Sequence, residues 1–355
     1  MNNDRIQEIL DLMEEARLDY FLISDPQSIA YCTGYYNDPH ERMFVFMISK
    51  HGNHTLFMND LFYLEHDLDV NIVWHKDGQD AIQTIVDEMH FPGRIGIDKN
   101  WASHFLLDLM KKLPDAKYIN ASPCVDLVRM KKDLQEQVLM IESSKINDAV
   151  MEEIIPFIQE GVTEKQLAKK LDELFFNHHS TYYGAIVAFG KNAADPHHEN
   201  DDTPLRKGDC VLIDMGCVYK GYCSDMTRTF FYEGILEEEI KVYEIVKKAN
   251  EAAEAMIKPG VKLSDIDKCA RKVISDEGYG KYFTHRLGHF IGRDVHEYGD
   301  VSSVNEMEVE EGMIFSIEPG IYLEGNFGVR VEDLVMVTKD GCQVLNSFTK
   351  DIYII

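Results

Sequence analysis

The chain has 355 residues, 45% of them hydrophobic and 28% charged, and 62 acidic against 36 basic side chains give a formal charge of −26. That length and apolar content suit two domains with sizeable cores, while the acidic excess disfavours a nucleic-acid or anionic-membrane surface, which needs clustered Lys and Arg. The seven cysteines are scattered with no CxxC pair, so neither a disulfide framework nor a thiolate zinc site is expected.

The first stretch, MNNDRIQEILDLMEEARLDY, is acidic and amphipathic, with Ile6, Ile9, Leu10 and Met13 at helical spacing. It has no apolar signal core, and no run nears the roughly eighteen apolar residues of a membrane span, so a cytoplasmic protein is expected. YFLIS, MFVFMIS and HTLFMN read as strands. A helix at DGQDAIQTIVDEM, a strand at RIGID and a helix at SHFLLDLMKKL complete an alternating α/β unit by about residue 120. The pattern then changes, which places a domain boundary within 122–132 and divides the chain into 1–125 and 126–355. Long helical periodicities cover roughly 135–160, 163–178, 236–257 and 263–277. Strand pairs at GAIVAFG, CVLIDMGCVYKGYCSDMTRTFF, GMIFSIEPGIYL and GVRVEDLVMVT lie between and after them. Two helices followed by strands, twice over, hint at internal pseudo-symmetry.

Four acids stand inside those apolar strands. Asp214 lies in VLIDMG, and Asp225 follows eleven residues later, beyond a turn at YKGY that can fold the two strands side by side. Glu318 ends MIFSIE, and Glu332 sits in VRVEDLVMV. Any one of them could face water from a strand edge. Four buried together would be costly unless paired or bound to metal. Four carboxylates with one imidazole describe an oxygen-rich site for two divalent ions, suited to manganese, cobalt or iron. Two such ions can share a bridging carboxylate and a bridging water whose pKa falls toward neutrality, which makes hydrolysis the natural chemistry.

THRLGHFIGRDVHE, residues 284–297, places His285, His289 and His296 four and seven residues apart. The spacing would share one helix face, but the glycines beside His289 argue against a helix. Metal site, substrate pocket and polar turn all remain open from this stretch alone.

DMGCVYKGYCSDMTRTF, THRLGHFIGRDVHE, SIEPGIY and FGVRVED, in that order, resemble the pita-bread metallopeptidases. That group includes prolidase, aminopeptidase P, methionine aminopeptidase and the metal-free creatinase. The likeness covers roughly residues 130–355, and SDPQSIAYCTGYY is similar to the creatinase-type N-terminal domain. The resemblance implies an α/β (α+β) chain: a creatinase-like N-terminal α/β domain, then a pita-bread catalytic domain with pseudo-two-fold symmetry. It also implies that Asp214, Asp225, His289, Glu318 and Glu332 bind two divalent ions, Mn2+ first, with Co2+ or Zn2+ as alternatives. All five positions are filled, unlike creatinase, and methionine aminopeptidases usually lack the N-terminal domain.

The Xaa-Pro branch remains. Prolidase, cleaving Xaa-Pro dipeptides, is the expectation. Aminopeptidase P acting on longer peptides is the alternative, and a non-catalytic binding module the remote one. In the implied mechanism a metal-bridging hydroxide attacks the scissile carbonyl, supported by His197 in DPHHEN, and Glu318 moves the proton. His296 is placed with these catalytic groups and also in the substrate pocket, alongside His285, Tyr322 and Arg330. The glycines at 288 and 292 would let the chain approach the metals. Family members with the N-terminal domain commonly form homodimers, so a homodimer is expected. Arg293 departs from the family, where an aliphatic residue is more usual. Either it is a surface residue balancing Asp294 or Glu297, or it lies at the pocket mouth. There it would pair with a substrate carboxylate, or with Asp38 and Glu41 of a candidate lid at 37–43.

Overall fold

The computed structural model describes residues 1–64 and 67–355, and the chain divides into two units, Met1–Arg129 and Met130–Ile355. The division falls near the end of a helix, beyond the expected Val125, because the stretch SPCVDLVRM continues without a break to Met130.

In the first unit, α1 (Asn3–Glu15) starts where the Asn2 side chain accepts the Arg5 N–H, and it buries Ile6, Ile9 and Met13. After β1 (Tyr20–Ile23) comes α2 (Pro26–Thr33), which begins at an Asp25 cap followed by proline and ends at Gly34 with φ +80°. The rest of the unit runs β2 (Val45–Ser49), β3 (Thr55–Asn59), β4 (Asn71–His75), α3 (Ala81–Glu88), β5 (Arg94–Ile97), α4 (Ser103–Lys112), β6 (Lys117–Asn120) and α5 (Ser122–Met130). The strands form a mixed sheet in the order β4-β3-β2-β1-β5-β6. Side-chain alternation splits the core between the two faces. Phe21, Ile23, Phe46 and Ile48 pack with Ile9, Met13 and Val125, while Tyr20, Leu22, Val45 and Met47 pack with Ile82, Ile85 and Leu109.

The second unit opens with α6 (Leu134–Ile154) and α7 (Glu164–Asn177), each started by a capping box, Asp133 with Glu136 and Thr163 with Gln166. They are followed by β7 (Thr181–Phe189), β8 (Cys210–Tyr219), β9 (Tyr222–Cys223) and β10 (Met226–Phe231), with β10-β8-β7 as one antiparallel sheet. The second pair of helices is α8 (Glu237–Glu254) and α9 (Leu263–Asp276). Then come β11 (Gly288–His289), β12 (Asp300–Val301), β13 (Ile314–Ile317), β14 (Gly320–Leu323), β15 (Phe327–Arg330), β16 (Asp333–Val337) and β17 (Cys342–Val344). Hence the order of two helices then strands occurs twice, as the periodicity leads one to expect.

Arg228 joins the two strand systems. It is 1% exposed, bonds Asp333 at 2.7 Å, and donates to the carbonyls of Glu332, Phe348 and Thr349. Among the described residues, no helix is long and apolar enough to cross a membrane.

Candidate active site

Strand register gathers the acids. Asp214 of β8 lies opposite Thr227 of β10, so Asp225, two residues before Thr227, is its diagonal neighbour across the strands. Only Asp214 sits within a strand. Asp225 immediately precedes β10, Glu318 immediately follows β13, and Glu332 occupies the step between β15 and β16. The sequence places all four inside strands; at three of them the ladder stops one residue short, which lets each carboxylate turn inward. Backbone bonds hold these ends: Glu318 N–H to the Leu287 carbonyl, 2.8 Å, and Glu332 N–H to the Thr227 carbonyl, 3.1 Å.

His289 is the centre of the cluster. Its Nδ1 lies 3.2 Å from the Phe290 carbonyl, which can only accept, so Nδ1 carries the proton and Nε2 presents a lone pair. That Nε2 stands 3.6 Å from Asp225 Oδ2, 3.8 Å from Glu318 Oε1 and 3.9 Å from Glu332 Oε1. Ligand atoms of Asp225, His289 and Glu332 all fall within 4.8 Å of one another. Burial first, then the Asp214 charge, pushes Asp225 up to about 6, against the opposing pull of His289. Burial likewise pushes Glu318 up to about 7 and Glu332 well above the carboxylate range. Burial acts to lower His289, but Asp225 and Glu318 hold it above its ordinary value. Acids that repel one another around an imidazole nitrogen are the donor set a divalent cation neutralises, displacing any proton from that nitrogen. The residues fit the metal that the sequence implies.

An open cavity of about 370 Å³ is lined by Asp214, Asp225, His289, Glu318 and Glu332, with His197, His285, His296, Arg286, Arg330 and Tyr183 among its walls. Arg330 ties the walls together. It donates to Asp214 Oδ2 at 2.6 Å, the Tyr322 hydroxyl at 2.9 Å, Thr227 Oγ1 at 3.1 Å and the Pro196 carbonyl at 3.4 Å. His285 Nδ1 donates to the Arg286 carbonyl at 2.7 Å, so its Nε2 accepts from the Tyr322 hydroxyl at 2.9 Å. Burial and then Arg330 lower His285 to about 4. Burial, His289 and Arg286 lower His296 to about 4; its ring packs edge-on to His289 with centroids 4.3 Å apart. Both rings are therefore neutral near pH 7.

His197 is exposed at the wall, on a loop fastened by residues that sequence reasoning passed over. Glu164, 0% exposed at the start of α7, accepts from His198 Nε2 (2.7 Å), Asp201 N–H (3.0 Å), Phe189 N–H (2.9 Å) and Asn192 Nδ2 (2.9 Å). Asn200 accepts the Val187 N–H and donates to the Ala185 carbonyl, pinning the other end to β7. The histidine pair in DPHHEN was the available signal: one ring lines the cavity while its neighbour reaches back to a buried acid.

Arg293 is placed differently from the pocket-mouth reading. Its guanidinium lies about 3.3 Å from where a Cβ on Gly221 would stand and 5.4 Å from the Tyr222 ring centroid, and it is not among the residues lining the cavity. Its N–H donates to Glu297 Oε1 at 2.9 Å. In the 37–43 segment, Arg42 grips Asp77 with two 2.9 Å bonds and pairs with Glu41, while Asp38 accepts the His40 N–H. The glycines also serve closer neighbours than a metal. A Cβ at 288 would stand 1.9 Å from the Ser316 carbonyl oxygen, and one at 292 would stand 2.7 Å from the Glu297 carboxylate.

The chain is similar to known proteins over nearly its whole length. A family model described as metallopeptidase family M24 matches residues 138–339, and one for the creatinase/prolidase N-terminal domain matches 5–131. An uncharacterized peptidase of Staphylococcus aureus is 35% identical over 355 residues, covering 98% of this chain and 99% of that protein. The crystal structure of a dipeptidase from Pyrococcus horikoshii is 34% identical with a TM-score of 0.92, covering 99% of this chain and 100% of that one. A prolidase from Thermococcus sibiricus is 32% identical with a TM-score of 0.94, covering 100% and 99%.

Proposed function

The chain belongs to metallopeptidase family M24, and on that premise we propose that it hydrolyses the Xaa-Pro bond of dipeptides with two divalent metal ions, as a cytoplasmic homodimer. The observation that carries the reading is His289 Nε2, with the carboxylates of Asp225, Glu318 and Glu332 all within 3.9 Å. Asp214, Asp225, His289, Glu318 and Glu332 would hold the ions, manganese in preference to cobalt or zinc, which supply Lewis acidity and a water acidic enough to react near neutral pH.

The side chains do the rest. Glu318, at the cavity wall with its carboxylate 3.8 Å from His289 Nε2, is placed to take a proton from water and return it to the departing proline nitrogen. That nitrogen comes from a tertiary amide and leaves only once protonated. His197 faces the cavity, where an N–H can donate to the carbonyl oxygen as negative charge grows on it. His285 and His296, both neutral, offer uncharged walls to the proline ring. Arg330 fixes the direction of Asp214. The cavity volume of about 370 Å³ suits a small substrate, since ligand pockets span roughly 300–1,000 Å³.

The test is the rate of proline release from an Xaa-Pro dipeptide, set against an Xaa-Pro-Xaa tripeptide and an Xaa-Ala dipeptide, by protein of measured metal content. The Xaa-Pro dipeptide should be turned over fastest. Preference for the tripeptide would make the chain an aminopeptidase, and metal binding without turnover would make it a binding module. Light scattering should give twice the chain mass of 40.9 kDa; a mass near 41 kDa would count against the dimer.

A further inference from the structure

Strands β11 and β12 are joined by a connection, residues 290–299, that carries Val295 and His296 to the cavity wall. No helix or strand forms over 291–299, and His296 is exposed, so neither a ladder nor close packing fixes where its ring stands. The ring nevertheless lies edge-on to His289 with centroids 4.3 Å apart. The connection is held from inside, by a side chain that is not among those lining the cavity.

Glu297 supplies that hold. Its side chain is 5% exposed, its Oε1 accepts the Arg293 N–H at 2.9 Å, and its own N–H donates to the Phe290 carbonyl at 2.8 Å. The chain closes tightly over the carboxylate: a Cβ at Gly292 would stand 2.7 Å from one oxygen and 2.8 Å from the other. The Gly292 carbonyl accepts the Cys223 N–H at 2.7 Å, which ties the connection to β9. A carboxylate folded away like this needs a cation beside it. Lys132 provides one: its side chain is 1% exposed and its Nζ meets Glu297 Oε2 at 3.0 Å. Lys132 is itself fixed. It stands between α5 and α6, its N–H donates to the Gly312 carbonyl at 2.8 Å, and its carbonyl accepts from Gln137 Nε2 at 2.8 Å.

A buried ion pair is often no more stabilising than apolar residues of the same volume, whereas its directional bonds select one arrangement of the chain around it. Here the arrangement selected is the one that presents Val295 and His296, the two residues before Glu297, at the wall. We propose that Lys132 and Glu297 are positioning residues for the wall that receives the proline residue, so that two side chains outside the cavity set how tightly an Xaa-Pro substrate is bound. This deepens the Xaa-Pro dipeptidase reading and rests on it.

The test uses metal-loaded wild type, Lys132→Met, Glu297→Gln and the double variant. Each single change strands one buried charge and should lower stability to urea. The double change removes both charges and should recover most of that loss. Substrate binding should not recover with it. In all three variants the KM for an Xaa-Pro dipeptide should rise by about tenfold, within the span that a poorer pocket fit produces, with kcat and metal content nearly kept. Inhibition by free proline should weaken in parallel. The double variant decides even where a single one fails to fold. If it regains the wild-type KM along with its stability, or if its loss falls on kcat with KM unchanged, the pair serves folding alone and the peptidase reading stands without it. Wild type that cleaves no Xaa-Pro dipeptide would remove the peptidase reading itself, and this inference with it.

Discussion

Arg330 Nη2 stands 2.6 Å from Asp214 Oδ2, while Nη1 of the same guanidinium reaches the Tyr322 hydroxyl at 2.9 Å. One buried cation therefore sets both the Asp214 carboxylate, a proposed metal ligand, and, through Tyr322, the tautomer of His285. Replacing it leaves Asp214, Thr227 and the Pro196 carbonyl without their donor. Arg330→Gln should destabilise the metal-free protein by about 3 kcal/mol, the scale of breaking a buried pair. Saturating divalent metal should recover part of that loss by neutralising Asp214. Urea unfolding with and without metal checks this; an equal loss in both states would mean that Arg330 does not orient the ligand.

The pH behaviour of the metal-free site has a definite sign. Asp225 and Glu318 are pushed up to about 6 and about 7, so folding raises their proton affinity. Their ionisation then costs folded-state stability as pH climbs through 6 and 7, whereas below the unfolded carboxylate range this cost vanishes. Bound divalent ions reverse it by preferring the ionised acids. The increase in Tm on adding metal should therefore grow from pH 6 to pH 8, and calorimetry in buffers of different ionisation enthalpy should record protons released on binding. A metal-induced Tm increase that shrinks over that range would contradict the site.

His197 should depend on a residue that never meets substrate. Glu164 gathers four donors from the His197 loop and its surroundings, and Glu164→Gln turns one acceptor oxygen into a donor facing other donors. We expect kcat to fall with metal content unchanged. Adding His197→Ala to Glu164→Gln should then cost much less than it does in wild type, because both changes remove the same group from the cavity. Full additivity would limit Glu164 to a role in stability.

Much of this was legible in the sequence, and the reasons lie in particular residues. Asp214 and Asp225 interrupt apolar runs on either side of a tight turn, and strand pairing converts that spacing into adjacency. The long helices of the second unit announce themselves by periodicity. Strands β4 and β6 do not, because they lie at the two edges of their sheet and are largely exposed, with no buried alternation to read. Helix α2 carried its signal in Asp25 and Pro26, but at eight residues it is too short to show a period. Arg293 attracted notice because it departs from its family, yet its side chain lies by Gly221 and Tyr222. Lys132 reads in sequence as an ordinary polar residue ahead of a helix, and only the fold brings it to Glu297, 165 positions along the chain.

The central claim is that Glu318 both helps to hold metal and carries the proton in Xaa-Pro hydrolysis. The most direct measurement is the initial rate of proline release from an Xaa-Pro dipeptide by wild type and Glu318→Gln, each with its metal content determined and its fold checked by circular dichroism. Wild type should turn over only with divalent metal present and lose activity to a chelator. Folded Glu318→Gln should lose at least about a hundredfold, within the range of removing a positioned general base. Metal-loaded Glu318→Gln turning over within about tenfold of wild type, less than such a base contributes, would contradict the account.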